Sequence, residues 1–142
     1  MTNPTQPEAT AAPAANPAAV GLGPVVQVLL FVRDIDRAVE FYRDTLGLLH
    51  LFTVGAMAFF DASGTRLYLQ TMADDEWRPG SILYFLVDDI AASYDALLDR
   101  GVETAGAPHL IHTDEASGTQ EWMAFFDDAD GNTLALLSRV RT

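Results

Sequence analysis

An internal duplication restricts the architecture of this chain more than any other feature. The run Met57-Ala58-Phe59-Phe60-Asp61 recurs as Met123-Ala124-Phe125-Phe126-Asp127. Each copy leads through a turn glycine, Gly64 or Gly131, into a second apolar run. Upstream, Phe31-Val32-Arg33-Asp34-Ile35 is echoed by Leu86-Val87-Asp88-Asp89-Ile90. A duplication over most of the chain predicts two copies of one structural unit, with functional chemistry on the surface between them.

The residue pattern within each copy predicts the element order βαβββ. In the first copy an almost wholly apolar run predicts a strand, and Asp34 is a suitable N-cap for a helix that Gly47 ends. The elements expected in the first unit are a strand at 25–32, a helix at 35–46, and strands at 48–54, 56–61 and 66–70. Those expected in the second unit are a strand at 81–87, a helix at 90–100, and strands at 102–104, 121–127 and 133–138.

These elements predict one α+β domain at 24–140, made of a unit at 24–79 and a unit at 80–140. The first 23 residues are rich in Ala and Pro, and we expect them to form a disordered tail. The two copies are offset by 55 residues at Val32 and Val87, and by 66 at Met57 and Met123. We place the 11 additional residues in a loop at 105–120, and long loops in compact domains are often functional.

Composition excludes several classes of function. The 142 residues contain no cysteine, which excludes disulfides, thiolate zinc sites and a cysteine nucleophile. Because the net charge is −12, nucleic acids and anionic membranes are poor partners. No apolar run approaches the roughly 20 residues needed to span a bilayer, and no secretory signal is evident. We therefore expect a cytoplasmic protein.

Two segments together with the paired units carry a family resemblance. The segment at 32–47, which contains Ala38-Val39-Glu40-Phe41-Tyr42, and the turn Asp128-Ala129-Asp130-Gly131-Asn132 resemble the vicinal oxygen chelate superfamily. This group includes glyoxalases, bleomycin-resistance proteins and extradiol dioxygenases. The resemblance covers Pro24 to Val140 and implies tandem βαβββ units that form a half-open, curled mixed sheet. It implies a ligand or metal on the concave face, but fold does not fix function.

The resemblance also implies four metal-ligand positions, which fall at Gln27, Tyr68, Ile82 and Ala135. Ile82 and Ala135 cannot coordinate a metal, and Tyr68 is a poor ligand at neutral pH because its reference pKa is about 10. Gln27 remains as one weak ligand, and we interpret it as a polar group in a cavity. We therefore predict no metal at the usual positions and no other cofactor.

Strand alternation predicts a mostly apolar pocket with a few polar groups, as is typical of small-molecule sites. A closed core is the alternative interpretation. The residues expected to face this pocket are Gln27, Leu29, Phe31, Tyr68, Gln70, Ile82, Tyr84 and Ala135.

The predicted loop adds His109 and His112, followed by Glu121. Three interpretations of these histidines stay open: ordinary surface residues, contacts to a ligand over the pocket mouth, or a divalent metal site shared with Glu121. Either Trp122 or Met123 lines the pocket, depending on the strand register. Trp77, in the polar linker at 72–79, is a dimer contact, a pocket lid, or tucked against its own domain.

Two functional hypotheses follow. The first is a metal-free binder of a small aromatic or amphipathic molecule, neutral or cationic because the chain is acidic. The second is a lyase, isomerase, epimerase or dioxygenase that uses His109, His112 and Glu121, or metal-free acid–base chemistry by His112 and Tyr68. We also expect a homodimer, because half-open sheets expose apolar surface and strand edges. The contact is expected near Trp77 or Leu51.

Overall fold

A computed structural model describes residues 20–141, which form two four-stranded mixed sheets with a helix packed on each. The disordered tail predicted for residues 1–23 lies outside the described residues, apart from the exposed coil at 20–23. The elements are β1 (Gln27–Val32), α1 (Ile35–Glu40), β2 (Leu49–Val54), β3 (Met57–Ala62), β4 (Thr65–Thr71), β5 (Leu83–Leu86), α2 (Ile90–Asp99), β6 (His109–Thr113), β7 (Gln120–Asp127) and β8 (Thr133–Val140). Neither described helix is long and apolar enough to cross a membrane.

The two sheets have the same topology, which confirms the tandem βαβββ units. The first sheet has the order β1-β4-β3-β2 and the second the order β5-β8-β7-β6. In each sheet the first strand pairs in parallel with the last, and the other pairs are antiparallel. The repeated runs at Met57 and Met123 lie in β3 and β7, which are equivalent strands.

Both helices begin where the sequence predicts. The Asp34 carboxylate accepts a hydrogen bond from the Arg37 backbone N–H at 3.0 Å, and Asp89 caps α2 through Ala92 at 3.1 Å. The first helix continues as a π-helical turn, Phe41–Thr45, and Gly47 follows with a φ of 81°. A residue with a side chain would be strained at this φ, so glycine marks the helix end.

The second unit differs from its prediction between α2 and β7. The expected strand at 102–104 is reduced to a single bridge between Thr104 and Phe126. The expected loop at 105–120 contains β6, which pairs with β7 and carries both histidines. The additional residues therefore lengthen a β-hairpin, because β6 and β7 remain paired as far as Thr113 and Gln120.

One hydrophobic core lies between the helices and the sheets. It joins Leu30 and Val39 of the first unit to Leu97 and Phe126 of the second.

A buried polar network joins the units at the turn between β7 and β8. The Tyr42 hydroxyl donates to Asp128 Oδ2 at 2.8 Å, and the Arg37 guanidinium contacts Asp130 Oδ1 at 2.5 Å.

Trp77 belongs to this junction. Its side chain is 6% exposed, its Nε1–H donates to the Phe31 carbonyl oxygen at 2.9 Å, and Arg33 lies 4.2 Å from its ring centroid. The interpretation of Trp77 as an exposed dimer contact or pocket lid is therefore wrong. Of the three alternatives, the structure supports the tryptophan tucked against its own domain, where its ring lies close to Gly131 in the turn between β7 and β8.

Candidate functional site

The predicted pocket residues of the first unit lie on the side of their sheet away from the helix. We call this side of each sheet its open face. Strand β1 alternates between the buried residues Leu30 and Val32 and the more exposed Gln27, Leu29 and Phe31. Its parallel partner β4 places Tyr68 beside Leu29, on the same face. The alternation predicted from the sequence thus puts these polar and apolar side chains on one surface.

An aromatic stack occupies the centre of this open face. The Phe59 and Tyr68 rings are stacked, with centroids 4.7 Å apart and planes inclined by 12°. Phe52 packs on the other side of Phe59 at 4.6 Å, and the Arg66 guanidinium lies 5.2 Å from the Phe59 centroid. Offset stacking and cation–π contact both stabilise such a set. The result is a row of three packed aromatic rings with a cation over the central one.

Hydrogen bonds orient the polar groups around this stack. The Tyr68 hydroxyl donates to Gln70 Oε1 at 2.5 Å and also lies 3.0 Å from Met57 Sδ. Gln27 Oε1 accepts from Arg66 Nε at 2.9 Å. Both glutamines therefore use their amide oxygens within the chain. Their NH₂ groups have no hydrogen-bond partner among residues 20–141 and remain as donors for a ligand.

The open face of the second sheet also carries aromatic rings. Ala135 of β8 lies between Tyr84 of β5 and Phe125 of β7. Because alanine is small, the Tyr84 and Phe125 rings meet over it, edge to face, with centroids 6.1 Å apart. Ala135 is therefore fully buried, and the space that it leaves is filled by its neighbours. Ile82, just before β5, is 40% exposed.

A β-bulge decides where the histidines lie. The register between β6 and β7 shifts between Leu110 and His112, so that His109 pairs with Met123 and His112 with Glu121. The shift puts both histidines on the open face although they are three residues apart. The His109 ring is 6.2 Å from that of Phe125. Both histidines are exposed.

The register between β7 and β8 also shows which of Trp122 and Met123, the two candidates for lining the pocket, lies on the open face. Met123 pairs with Leu137 and shares the open face with Ala135. Trp122 pairs with Ser138 and packs against the core on the helix side. Of the two alternatives for this pocket position, Met123 therefore faces the pocket and Trp122 does not.

The residues at the four family metal positions do not fit a divalent metal. They form two pairs, Gln27 with Tyr68 in the first sheet and Ile82 with Ala135 in the second, and together they offer one amide and one phenol. At the non-standard position, the Glu121 carboxylate is held by Arg139 Nε at 3.0 Å. No group of three or more His, Asp or Glu side chains is placed to hold a metal ion within residues 20–141.

Sequence reasoning missed three ring-bearing residues of the open faces. These are Phe52, Phe59 and Phe125. Phe59 and Phe125 could have been found from the repeated Met-Ala-Phe-Phe-Asp run. In each copy the second Phe is buried, so the first Phe must point to the opposite face of its strand. The face of Phe52 could not be predicted from alternation, because β2 has a register shift between His50 and Phe52.

Comparison with known proteins agrees with this geometry. The family model of the Glyoxalase/Bleomycin resistance protein/Dioxygenase superfamily matches residues 24–136. The uncharacterized protein YraH of Bacillus subtilis (strain 168) is 31% identical over 130 residues, which cover 79% of this chain and 95% of that protein.

Two solved structures share the fold. TnmS3, an antibiotic binding protein from Streptomyces sp. CB03234, superposes with a TM-score of 0.70 at 23% identity, covering 86% of this chain and 100% of that one. Lactoylglutathione lyase from Agrobacterium tumefaciens superposes with a TM-score of 0.65 at 19% identity, covering 83% and 95%. With the duplicated βαβββ units and the family match over most of the sequence, the chain belongs to the glyoxalase/bleomycin resistance protein/dioxygenase superfamily.

Proposed function

We propose that this protein binds a small planar aromatic molecule on its open faces, without the metal centre usual in the superfamily. The observation that carries the proposal is the Phe52–Phe59–Tyr68 stack, which presents aromatic surface where the family positions hold no metal ligands. The antibiotic-binding neighbour shows that the same fold serves a binding protein. The net charge of −12 favours a neutral or cationic ligand through long-range attraction.

Polar groups beside the stack would give this site its specificity. The NH₂ groups of Gln27 and Gln70 flank the Tyr68 ring and would donate to carbonyl or ether oxygens of a ligand. An unpaired donor in a buried complex costs free energy, so a ligand that lacks matching acceptors would bind more weakly. The expected ligand class is therefore a planar ring system that carries oxygen acceptors.

A homodimer is part of the proposal, because the open faces expose large apolar side chains. Leu29 is 43% exposed, Tyr84 48% and Leu86 66%. The outer edges of β1 and β5 also have no strand partner in the described chain. Apolar surface of this kind marks a binding or assembly surface. A second copy would cover these residues and enclose the ligand.

A metal-free enzyme is the second candidate function. The bulge in β6 puts His109 and His112 on the open face, where an imidazole would donate a proton to a substrate or accept one from it. In this hypothesis Tyr68 orients the substrate and His112 transfers the proton. The reaction class would be isomerisation or elimination, since both need only acid–base groups.

The binding proposal is tested with protein dialysed against EDTA. A panel of planar aromatic molecules, with proflavine as the cationic and anthraquinone as the neutral member, is screened by thermal shift, because a ligand that binds only the folded state raises the melting temperature. Phe59→Leu should weaken binding of a hit about three- to tenfold. Phe41→Leu, on the first helix, is the matched control and should not.

Three results would count against the binding proposal. They are hits that appear only after a divalent metal is restored, equal losses in the Phe59→Leu and Phe41→Leu variants, and turnover of a hit that stops in His112→Ala. The last result would support the enzyme instead.

The dimer is tested separately by sedimentation velocity across a concentration series. Leu86→Arg should weaken self-association about tenfold or more, because it places a charge in a buried apolar contact. Leu98→Arg introduces the same change at a site 46% exposed on α2 and should leave association unchanged. A wild-type monomer at all concentrations would refute this part.

A further inference from the structure

The duplicated units make two equivalent contacts with one another, and only one of them is filled. In the filled contact, the first helix meets the turn between β7 and β8 through Tyr42 and Asp128. In the equivalent contact, α2 meets the turn between β3 and β4. A cavity of about 750 Å³ lies there, within the range of about 300–1,000 Å³ that is common for small-molecule sites.

The sequence explains why the second contact stays open. The offsets of the repeat put Leu97 in the place of Tyr42 and Ala62 in the place of Asp128. The turn is also shorter, because four residues separate the paired Asp61 and Arg66, whereas five separate Asp127 and Thr133. A buried polar network in one contact is thus replaced by two apolar side chains that line a gap.

One face of α2 forms a wall of this cavity. Ser93, Ala96, Leu97 and Arg100 follow the spacing i, i+3, i+4 and i+7, which puts them on the same side of a helix, and all four line the cavity. Ser93 and Ala96 are small, so the face leaves room instead of filling it. The adjoining wall comes from Thr45 and Leu46 at the end of the π-helical turn, a type of turn that is frequent at functional sites.

The charges around the cavity are opposite to those of the chain as a whole. No acidic side chain of residues 20–141 lines it, whereas two arginines, Arg66 and Arg100, do. Arg100 donates to the Thr45 carbonyl oxygen at 2.6 Å, and Arg66 donates to Gln27. Neither guanidinium forms an ion pair within the described part of the chain. Each is held in place by a neutral acceptor, with donors to spare.

The remaining lining is mostly aliphatic and aromatic. It includes Val28, Leu67, Leu83, Phe85 and Leu136. An apolar chamber with two cations at its wall matches a molecule that has an apolar body and a single anionic end, because burying the apolar body is favourable and a guanidinium binds a carboxylate strongly. The chamber borders the open faces, because Arg66, Tyr84 and Leu86 also line it. Its α2 wall, however, lies on the helix side of the second sheet.

We propose that this inter-unit cavity is a second binding site, which takes an anionic amphiphile such as a medium-chain carboxylate. The apolar chain lies between α2 and the turn at Ala62, and the carboxylate pairs with Arg100. The site does not depend on the function proposed for the open faces. The ligand classes also differ, since the open faces are expected to bind a neutral or cationic planar ring.

The test compares decanoate, decanol and decyltrimethylammonium by isothermal titration calorimetry, below the concentrations at which they aggregate. Decanoate should bind at one site, and the other two should bind at least tenfold more weakly. Arg100→Gln should weaken decanoate binding about tenfold, as expected for the loss of a charge-assisted bond, and Arg100→Lys should retain part of the affinity. Arg43→Gln removes the same charge at an exposed ion pair with Asp44 and should have little effect.

Location is tested by filling the cavity and by methyl chemical shifts. Ala96→Phe should abolish decanoate binding, whereas Ala92→Phe, on an exposed position of the same helix, should preserve it. Decanoate should shift the methyl signals of Leu97 and Leu136 but not those of Leu29 on the open face.

The proposal is overturned if decanoate does not bind, if decanol binds as tightly, or if Arg43→Gln costs as much as Arg100→Gln. Shifts at Leu29 alone would assign the binding to the open face. If Ala96→Phe does not fold, the arginine variants and the wild-type methyl shifts still decide the matter.

Discussion

Removing the Tyr42 hydroxyl should destabilise the protein by about 2 kcal/mol, because that hydroxyl joins the two units. Tyr42 is fully buried and donates to Asp128 Oδ2 at 2.8 Å. Tyr42→Phe keeps the ring and removes one donor from a buried carboxylate, and a hydrogen bond to a charged group contributes about 1.5–3 kcal/mol. Asp128 would keep its bonds from Asn132 and from the Asp130 backbone N–H.

The expected loss converts directly into a melting temperature. With an unfolding entropy of about 2.1 cal/mol/K per residue over roughly 120 ordered residues, about 2 kcal/mol corresponds to a decrease of about 8 °C. Differential scanning calorimetry and urea unfolding measure both quantities. Tyr94→Phe is the matched control. The Tyr94 hydroxyl forms no hydrogen bond within residues 20–141, so its loss should cost less than about 0.5 kcal/mol. Equal losses in the two variants would refute the proposed role of the network.

Three further outcomes are expected at the same junction. Burial, followed by the charge of Asp128, raises the pKa of Tyr42 well above its ordinary value of 10.0. The free energy of unfolding that the neutral Tyr42 hydroxyl contributes is therefore complete below pH 10 and is lost at higher pH. Urea unfolding should show the stability difference between wild type and Tyr42→Phe shrinking only above pH 10. Trp77→Phe removes the Nε1–H donor to the Phe31 carbonyl and should lower the free energy of unfolding by about 1 kcal/mol in the same assay. The Asn132 side chain donates to the same carbonyl, and an unchanged free energy would show that this second bond is sufficient. Gly131→Ala should cost more than about 1 kcal/mol by calorimetry, because Gly131 has a φ of 102°, a conformation that residues with a side chain rarely adopt. An unchanged melting temperature would contradict the strain.

The sequence was sufficient for features that depend on neighbours along the chain. Asp34 and Asp89 cap their helices because a carboxylate reaches N–H groups three residues on. Alternation identified the open-face residues of β1, since side chains of a strand point to opposite sides in turn. The repeated run at Met57 and Met123 predicted the equivalence of β3 and β7, because similar local sequences form similar units.

Strand β6 shows where local patterns were insufficient. The segment at 109–113 has neither a clear alternation nor a strong propensity, and it becomes a strand because β7 offers it an edge with which to pair. The bulge beside Ile111 then turns His112 to the same side as His109. A shift of one residue reverses every side chain beyond it, so sequence spacing alone could not assign the faces of His112 or Trp122.

The sequence by itself determined the two units, their helix caps and the open-face residues of β1. Only the tertiary structure decided how the units dock. It buried Trp77, for which the sequence left three placements open, and it filled the contact at Asp128 while leaving the equivalent contact at Leu97 open. The physical reason is that docking depends on the fit between surfaces that are distant in sequence, where one hydroxyl and one turn residue decide whether a contact closes.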